Sequence, residues 1–278
     1  MTAIILALAC AAGYGASDFL AGLASRRASY LRVAIVVQGV AMVSVLLAVP
    51  FVSGRLTLEG VLWGTFSGIG SGTGALALYR GLGRAQMSVV GPISGVGAAA
   101  IPALGGLALG ERPSPVTLVG VALILPAVWL IARESEGARA PARVGTADGV
   151  AAGVGFGVFF LTLSRAGSGD GLWPGAASAV TSAVVVTGFC VTQGAGRRRD
   201  GSGLTAVAAA AGVCAGGAYA LYLLATRRGL LVVVAVLAAL YPAVTVVLAR
   251  TFLHERSSRG QVVGLALAAC AVAAITAG

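Results

Sequence analysis

Charged residues are scarce in this sequence. Only 10% of its 278 residues are charged and none is lysine, whereas soluble domains carry about 25% charged residues. Hydrophobic residues make up 58% of the chain, and the mean hydropathy is +0.96. This composition excludes an ordinary soluble domain, and it directs attention to whether the apolar residues form segments of bilayer length.

The residues that build most catalytic and metal centres are scarce as well. The one histidine, His254, lies beside a predicted connection, which argues against a metal cluster and against a Ser-His-Asp or Cys-His arrangement. The four cysteines show no C-x-x-C spacing and are interpreted as small buried side chains. The glycine run at 68–74 follows no strand, so it is not a nucleotide-binding loop. We therefore predict no enzyme activity, no metal and no cofactor.

What the sequence does contain is ten apolar segments. They cover approximately residues 2–24, 32–53, 59–79, 85–109, 114–132, 148–165, 172–194, 203–226, 229–250 and 259–277. A helix needs roughly 20 apolar residues to cross a bilayer, and long runs without period-2 alternation favour helices over a barrel. The predicted fold class is an all-α, multi-pass integral membrane protein with ten transmembrane helices.

The distribution of the nineteen arginines predicts an orientation. Numbering each connection by its order along the chain, fourteen arginines fall in odd-numbered connections and five in even-numbered ones. The positive-inside rule then places the odd connections in the cytoplasm and both termini outside the plasma membrane. No basic n-region of a cleavable signal peptide is evident. No basic patch lies on a soluble domain, so we expect no nucleic-acid partner. The expected partners are membrane lipid and a small-molecule substrate.

The two halves of the chain are similar to each other. The run "GYGASDFLAGLASR" from Gly13 aligns with "GVGFGVFFLTLSR" from Gly153, and "LGER" at 109–112 aligns with "LHER" at 253–256. Because five is odd, the second half enters the membrane from the opposite side, which is a construction typical of secondary transporters. A monomer would contain a complete pathway. The predicted parts are a five-helix repeat over 1–132, a polar linker over 133–147 and a second five-helix repeat over 148–278.

These features resemble a known family. Ten segments in two halves, "YG" at Tyr14–Gly15, and a Glu-Arg pair after the fourth and ninth segments are similar to EamA-domain transporters of the drug/metabolite transporter superfamily. The resemblance covers the whole chain and implies ten transmembrane helices and export of metabolites, amino acids or drug-like compounds. The family commonly has a proline about thirteen residues before that Glu. Pro242 precedes Glu255 by thirteen residues, whereas Ala98 takes the equivalent place before Glu111.

One acidic residue, Asp18, lies in the interior of a predicted segment. An intramembrane acid costs roughly 2.5–3.5 kcal/mol on insertion scales, so its side chain should face the bundle interior or a wet cavity. Its counterpart in the second half is Val158, so the repeat does not require an acid there. We interpret Asp18 as a proton-coupling site or an anchor for a cationic substrate. The alternative is a structural hydrogen bond to a neighbouring helix.

Other polar, aromatic and proline residues complete the candidate site, which we expect between segments 1, 3, 4, 6, 8 and 9. The further substrate- or proton-binding candidates are Tyr14, Gln38, Trp63, Tyr79, Tyr219, Tyr222 and Tyr241. Alternatives remain open, namely interhelical contact for Gln38 and an interfacial position for Tyr79 and Tyr222. The hinge candidates are Pro92, Pro102 and Pro242, each of which is alternatively a tolerated kink.

Two further patterns are interpreted as structural. Gly64, Gly68 and Gly72 recur every four residues and predict a smooth face for close helix packing. The Glu-Arg pairs at 111–112 and 255–256 are expected to be turn elements, with a nearby arginine or the next helix's N-terminus compensating the glutamate. The sequence thus predicts an alternating-access exporter of a small organic solute. The competing class is a non-transporting membrane protein, either a lipid-modifying enzyme or an assembly subunit.

Overall fold

The computed structural model of the chain describes residues 1–25, 28–84, 87–132, 142–193, 202–253 and 259–277. These residues form helices and connections, with no strand among them. Two short 3-10 helices, Val49–Phe51 and Ser168–Asp170, lie before the third and seventh α-helices. The eleven α-helices of the described residues are α1 (Thr2–Ser25), α2 (Tyr30–Ala48), α3 (Leu58–Arg84), α4 (Met87–Ala108), α5 (Pro115–Ala132), α6 (Ala142–Ser164), α7 (Trp173–Thr192), α8 (Ser202–Thr226), α9 (Leu231–Ala238), α10 (Tyr241–Leu253) and α11 (Arg259–Ala277).

Each predicted apolar segment is helical, and the ninth comprises two helices, α9 and α10. Within the described residues, seven helical stretches are long and apolar enough to cross a membrane, and α4 and α5 hold shorter apolar stretches. The 27 residues of α3 are not among the seven, since glycine, serine and threonine lower its hydropathy. An all-helical, multi-pass membrane fold therefore agrees with the structure, and the number ten remains a prediction.

The sixth helix begins earlier than the sequence predicted. The apolar segment was expected from residue 148, but α6 begins at Ala142, so Asp148 lies within the helix. Its carboxylate is buried and accepts hydrogen bonds from Arg80 of α3, at 2.9 Å from Nε and 2.5 Å from a terminal guanidinium nitrogen. Hydropathy did not predict this first part of α6, because Arg80, which pairs with the buried Asp148, lies in another helix.

The two halves pack against each other in an exchanged pattern. Helix α3 contacts α6 and α7, and α8 contacts α1 and α2 in the same way. Helix α4 contacts α6, and the equivalent helices of the second half, α9 and α10, contact α1. Equivalent helices also contact each other, α2 with α7 and α5 with α11. A pseudo-two-fold relation between α1–α5 and α6–α11 produces these pairs of contacts.

The glycines of α3 allow its neighbours to approach closely. A Cβ added at Gly64 would meet the Pro174 carbonyl oxygen at 2.3 Å, and one at Gly68 would meet the Ser178 oxygen at 2.4 Å. Gly72 faces α7 in the same way. The predicted packing face is confirmed, and its partner is α7.

The ninth segment is broken just before Pro242. Helix α9 ends at Ala238 and α10 begins at Tyr241. Proline lacks an N–H and crowds the carbonyl four residues earlier, so it is accommodated in a first helical turn and opposes continuation from α9. Pro92 and Pro102, by contrast, lie within the range of the single helix α4.

Candidate solute-binding cavity

A cavity that is open to solvent lies between α1, α2, α3, α6, α8 and α10, and its empty space amounts to about 540 Å³ when the open solvent at its mouth is included. Half of its lining residues are aromatic. The lining residues are Tyr14, Ser17, Asp18, Val37, Gln38, Ser71, Ala75, Tyr79, Phe156, Phe159, Phe160, Ala215, Tyr219 and Tyr241. The second segment thus contributes to the cavity, and no lining residue comes from the described part of the fourth, where sequence reasoning expected one. Cavities of this kind between bundle helices are typical ligand sites.

Asp18 lies on the cavity wall beside Ser17 of the same helix. Its side chain is half-buried, and no described residue forms a hydrogen bond or an ion pair with its carboxylate. An unpaired carboxylate in an apolar bundle is costly unless water, a proton or a cation satisfies it. A structural hydrogen bond to a neighbouring helix, the alternative interpretation of Asp18, is thus not present among the described residues.

Aromatic rings form one wall of the cavity. The ring of Tyr14 meets those of Phe159, Phe160 and Tyr219 edge-on, with centroids 6.0–6.4 Å apart. The rings of Phe159 and Tyr219 are 4.9 Å apart. The hydroxyl of Tyr14 is buried and has no hydrogen-bond partner among the described residues. This wall combines apolar ring faces with one unused polar group.

Buried hydroxyls connect the cavity wall to α7. The oxygens of Tyr219 and Ser71 are 2.5 Å apart, and Ser182 donates a hydrogen bond to Ser71 at 3.3 Å. One turn away, Ser178 donates to Ser67 at 3.1 Å. These serines were not among the predicted site residues, although two serine pairs spaced four residues apart, in α3 and in α7, are visible in the sequence.

Most predicted site residues meet at the cavity, and two do not. Tyr222 is fully buried and donates its hydroxyl to the Phe160 carbonyl at 2.8 Å, so it fixes α8 against α6. Trp63 is half-buried, and its ring lies 6.5 Å from that of the exposed Phe66, outside the cavity. The cavity-lining members of the predicted set are Tyr14, Asp18, Gln38, Tyr79, Tyr219 and Tyr241. The described lining of the cavity contains none of the hinge candidates Pro92, Pro102 and Pro242.

The model of the EamA-like transporter family matches residues 1–133 and matches again over residues 145–277. The chain belongs to the EamA-like transporter family. This confirms the resemblance inferred from the sequence, and it assigns the chain to a family of transporters rather than of enzymes. No curated protein matches the chain.

The fold of this EamA-family chain is also found in a solved structure. A protein of known crystal structure is similar over 97% of this chain and 96% of its own, with a TM-score of 0.74 and 16% sequence identity. At that identity the likeness describes the fold alone.

The two EamA repeats contribute different chemistry to the cavity. Among the described lining residues, the first repeat supplies the one carboxylate, Asp18, and the one amide, Gln38. The second supplies mainly aromatic and small side chains, from α6, α8 and α10. Two repeats of similar fold therefore enclose an asymmetric site.

The two repeats also meet at the end of the bundle that holds the even-numbered connections. Glu111 follows α4, and its two carboxylate oxygens accept the N–H groups of Leu231 and Val232 at 2.6 and 2.8 Å. It therefore caps the N-terminus of α9, where a negative charge is favourable. The sequence had suggested a nearby arginine or the N-terminus of the next helix, α5, and the observed partner is the N-terminus of a helix in the other repeat. Glu255 and Arg256 lie outside the described residues.

Two more contacts join the repeats at this end, which we call the even end. Thr57 donates its hydroxyl to Asp170 at 2.9 Å, and the Arg55 N–H donates to the Gly169 carbonyl at 2.9 Å. At the opposite end, the Arg80–Asp148 pair is an inter-repeat ion pair of the described residues. Several polar contacts therefore join the two repeats at the even end.

Proposed function

We propose that the chain is a secondary transporter that exports a small organic solute across the plasma membrane by alternating access. The observation that carries the proposal is the cavity between helices of both repeats, in a chain of a transporter family. On its wall lies the carboxylate of Asp18, which has no partner among the described residues. Solute sites of inverted-repeat transporters occupy this kind of position. Asp18 binds either the solute or a coupled proton.

The proposed architecture is ten transmembrane helices in two inverted repeats, 1–132 and 148–278, joined by a linker over 133–147. The exchanged contacts of the two halves support it. Helices α9 and α10 together form the ninth crossing. Helix α3 counts as a crossing because its 27 residues span about 40 Å at 1.5 Å per residue. The transporter functions as a monomer in contact with membrane lipid.

The proposed orientation places the even end and both termini outside. Fourteen of the nineteen arginines fall in the odd connections, which supports a cytoplasmic position for them. The polar contacts of Glu111, Thr57 and Arg55 across the repeats support a state that is closed toward the outside. Transport then requires that these contacts break while the opposite end closes.

Transport is tested with purified protein in proteoliposomes loaded with small cationic, anionic, zwitterionic and neutral solutes. Efflux is followed by mass spectrometry. We expect the wild-type protein to release at least one solute faster than protein-free vesicles. Asp18→Asn should lower that rate by about tenfold or more, since it removes the charge on the cavity wall.

Glu59→Gln is the matched control, because it removes an exposed carboxylate in the first turn of α3, outside the cavity. Its efflux rate should equal that of the wild type. Efflux unchanged in Asp18→Asn would remove Asp18 from the mechanism. Release of no solute by the wild type would overturn the transport proposal and favour a non-transporting membrane protein.

A further inference from the structure

The charges around the cavity have one sign. Asp18 is the only ionisable carboxylate or base among the described lining residues, and no Arg or Lys side chain is among them. The other buried acids of the described chain are used elsewhere. Asp148 pairs with Arg80 and Asp170 accepts from Thr57. The cavity therefore attracts positive charge and repels negative charge, and one carboxylate balances one cation.

The aromatic wall favours the same ligand charge. Ring faces of tyrosine and phenylalanine attract cations electrostatically, and more strongly where water is excluded. The rings of Phe159 and Tyr219 lie 4.9 Å apart on this wall, with Phe159 2% and Tyr219 3% exposed. Such surfaces also bury the apolar body of a ligand. A ring-bearing cation matches both properties of the wall.

Positively charged side chains that would pair with an anionic part of a ligand are absent from the described lining, and the nearby helix N-termini offer little in their place. The N–H groups of Leu231 and Val232, at the start of α9, are bonded to Glu111. The first turn of α10 contains Pro242, which has no N–H to offer. A carboxylate or phosphate in the cavity would therefore face Asp18 without a donor of positive charge.

From these observations we infer that the solute is a small organic monocation with an aromatic or other apolar ring. Its ammonium group pairs with Asp18, beside the hydroxyl of Ser17 and the amide of Gln38, and its ring packs against Phe159 and Tyr219. The inference rests on the proposed function for its physiological meaning, because it names the class of solute that the transporter carries. It is nevertheless a statement about binding and can be tested without transport.

The test is a series of probes with one ring and different charges. The probes are 2-phenylethylamine (cation), phenylalanine (zwitterion), 3-phenylpropionate (anion) and ethylamine (cation without a ring). Binding to the purified, detergent-solubilised full-length protein is measured by titration calorimetry. We expect 2-phenylethylamine to bind about tenfold or more tightly than each of the other three, which lack the charge match or the ring.

Variants connect the series to the cavity. Asp18→Asn should weaken 2-phenylethylamine binding by about tenfold or more, Asp18→Glu should retain most of it, and Glu59→Gln should leave it unchanged. Anion or zwitterion binding as tight as that of the amine would overturn the inference, as would unchanged amine affinity in folded Asp18→Asn. If that variant does not fold, the probe series on the wild type decides.

The two proposals fail differently. If the amine binds through Asp18 but no solute of any charge leaves proteoliposomes, the binding class stands and transport is wrong. If anions or neutral solutes are carried while the amine neither binds nor moves, transport stands and the inferred class is wrong.

Discussion

At the scale of single residues, the polar groups around the cavity are of two kinds: those that have a hydrogen-bond partner within the described protein and those that do not. Ser71 has two hydroxyl neighbours, Tyr219 at 2.5 Å and Ser182 at 3.3 Å. Asp18 has no described partner for its carboxylate. A polar group buried in an apolar bundle needs a partner. Ser71 finds it within the fold, whereas Asp18 depends on a proton, water or a bound cation.

The hydroxyl pair gives a prediction about stability. Ser71→Ala and Tyr219→Phe should each destabilise the protein, and the double variant should lose less than their sum, with a coupling of about 0.6 kcal/mol. Thermal unfolding in detergent measures this cycle. Ser44→Ala is the control, because Ser44 donates only to Val40 of its own helix, and it should have little effect. Strict additivity would show that the contact does not stabilise the fold.

At the scale of elements, α3 is the helix that joins the cavity to the scaffold. One face packs on α7 through Gly64, Gly68 and Gly72, and another meets α6 at Gly70 and Gly74. Serines between these glycines form the buried hydroxyl chain. Small residues permit the close approach that places those hydroxyls within hydrogen-bonding distance.

Replacing Gly68 by alanine should therefore lower the stability of the protein, whereas replacing Gly188 by alanine should leave it almost unchanged. In Gly68→Ala the new Cβ would lie 2.4 Å from the Ser178 oxygen, and overpacking of this kind costs about 1–3 kcal/mol. In Gly188→Ala the new Cβ, on the exposed face of α7, has no atom within 4 Å. That variant should be neutral or slightly more stable. Equal melting temperatures for the two variants would contradict the packing described for α3.

At the scale of the whole molecule, two repeats exchange equivalent contacts and enclose one asymmetric cavity. The family match covers both repeats, yet among the described lining residues only the first repeat provides a carboxylate. Val158 stands at the position equivalent to Asp18. The two repeats thus share the fold, and a residue in one of them sets the electrostatic character of the cavity.

The orientation of the molecule is testable by labelling. A cysteine placed at the exposed Ser53, at the even end, should react with a membrane-impermeant maleimide in intact cells. A cysteine at the exposed Ser29, at the opposite end, should react only after the membrane is permeabilised. The parent chain without either substitution is the control. The reverse pattern would invert the proposed topology.

Features governed by local sequence were predictable. The helical segments follow from hydropathy, and the packing face of α3 follows from glycines spaced by four. Pro242 was predicted as a hinge or a tolerated kink within one segment, and the structure breaks that segment into two helices there. Cavity candidates such as Tyr219 and Gln38 were found because a polar group in an apolar segment must face inward.

Features governed by contacts between distant helices were not predictable. The sequence does not indicate that Glu111 caps α9, or that Asp148 lies inside α6 against Arg80, because the partners are 120 and 68 residues away. Use of the second helix rather than the fourth for the cavity depends on how the bundle packs. The periodicity of a sequence describes one helix at a time, whereas these contacts depend on how two helices pack together.

The central claim is that solute moves through this cavity by opening of the even end. Thr57→Cys/Asp170→Cys, made in a chain with its native cysteines replaced by alanine, places two thiols where the native side chains are 2.9 Å apart. Efflux from proteoliposomes is measured before and after a reversible, bifunctional thiol reagent bridges this pair. We predict that efflux stops on bridging and returns on reduction, while either single-cysteine variant is unaffected. Efflux that continues with the pair fully bridged would contradict the claim.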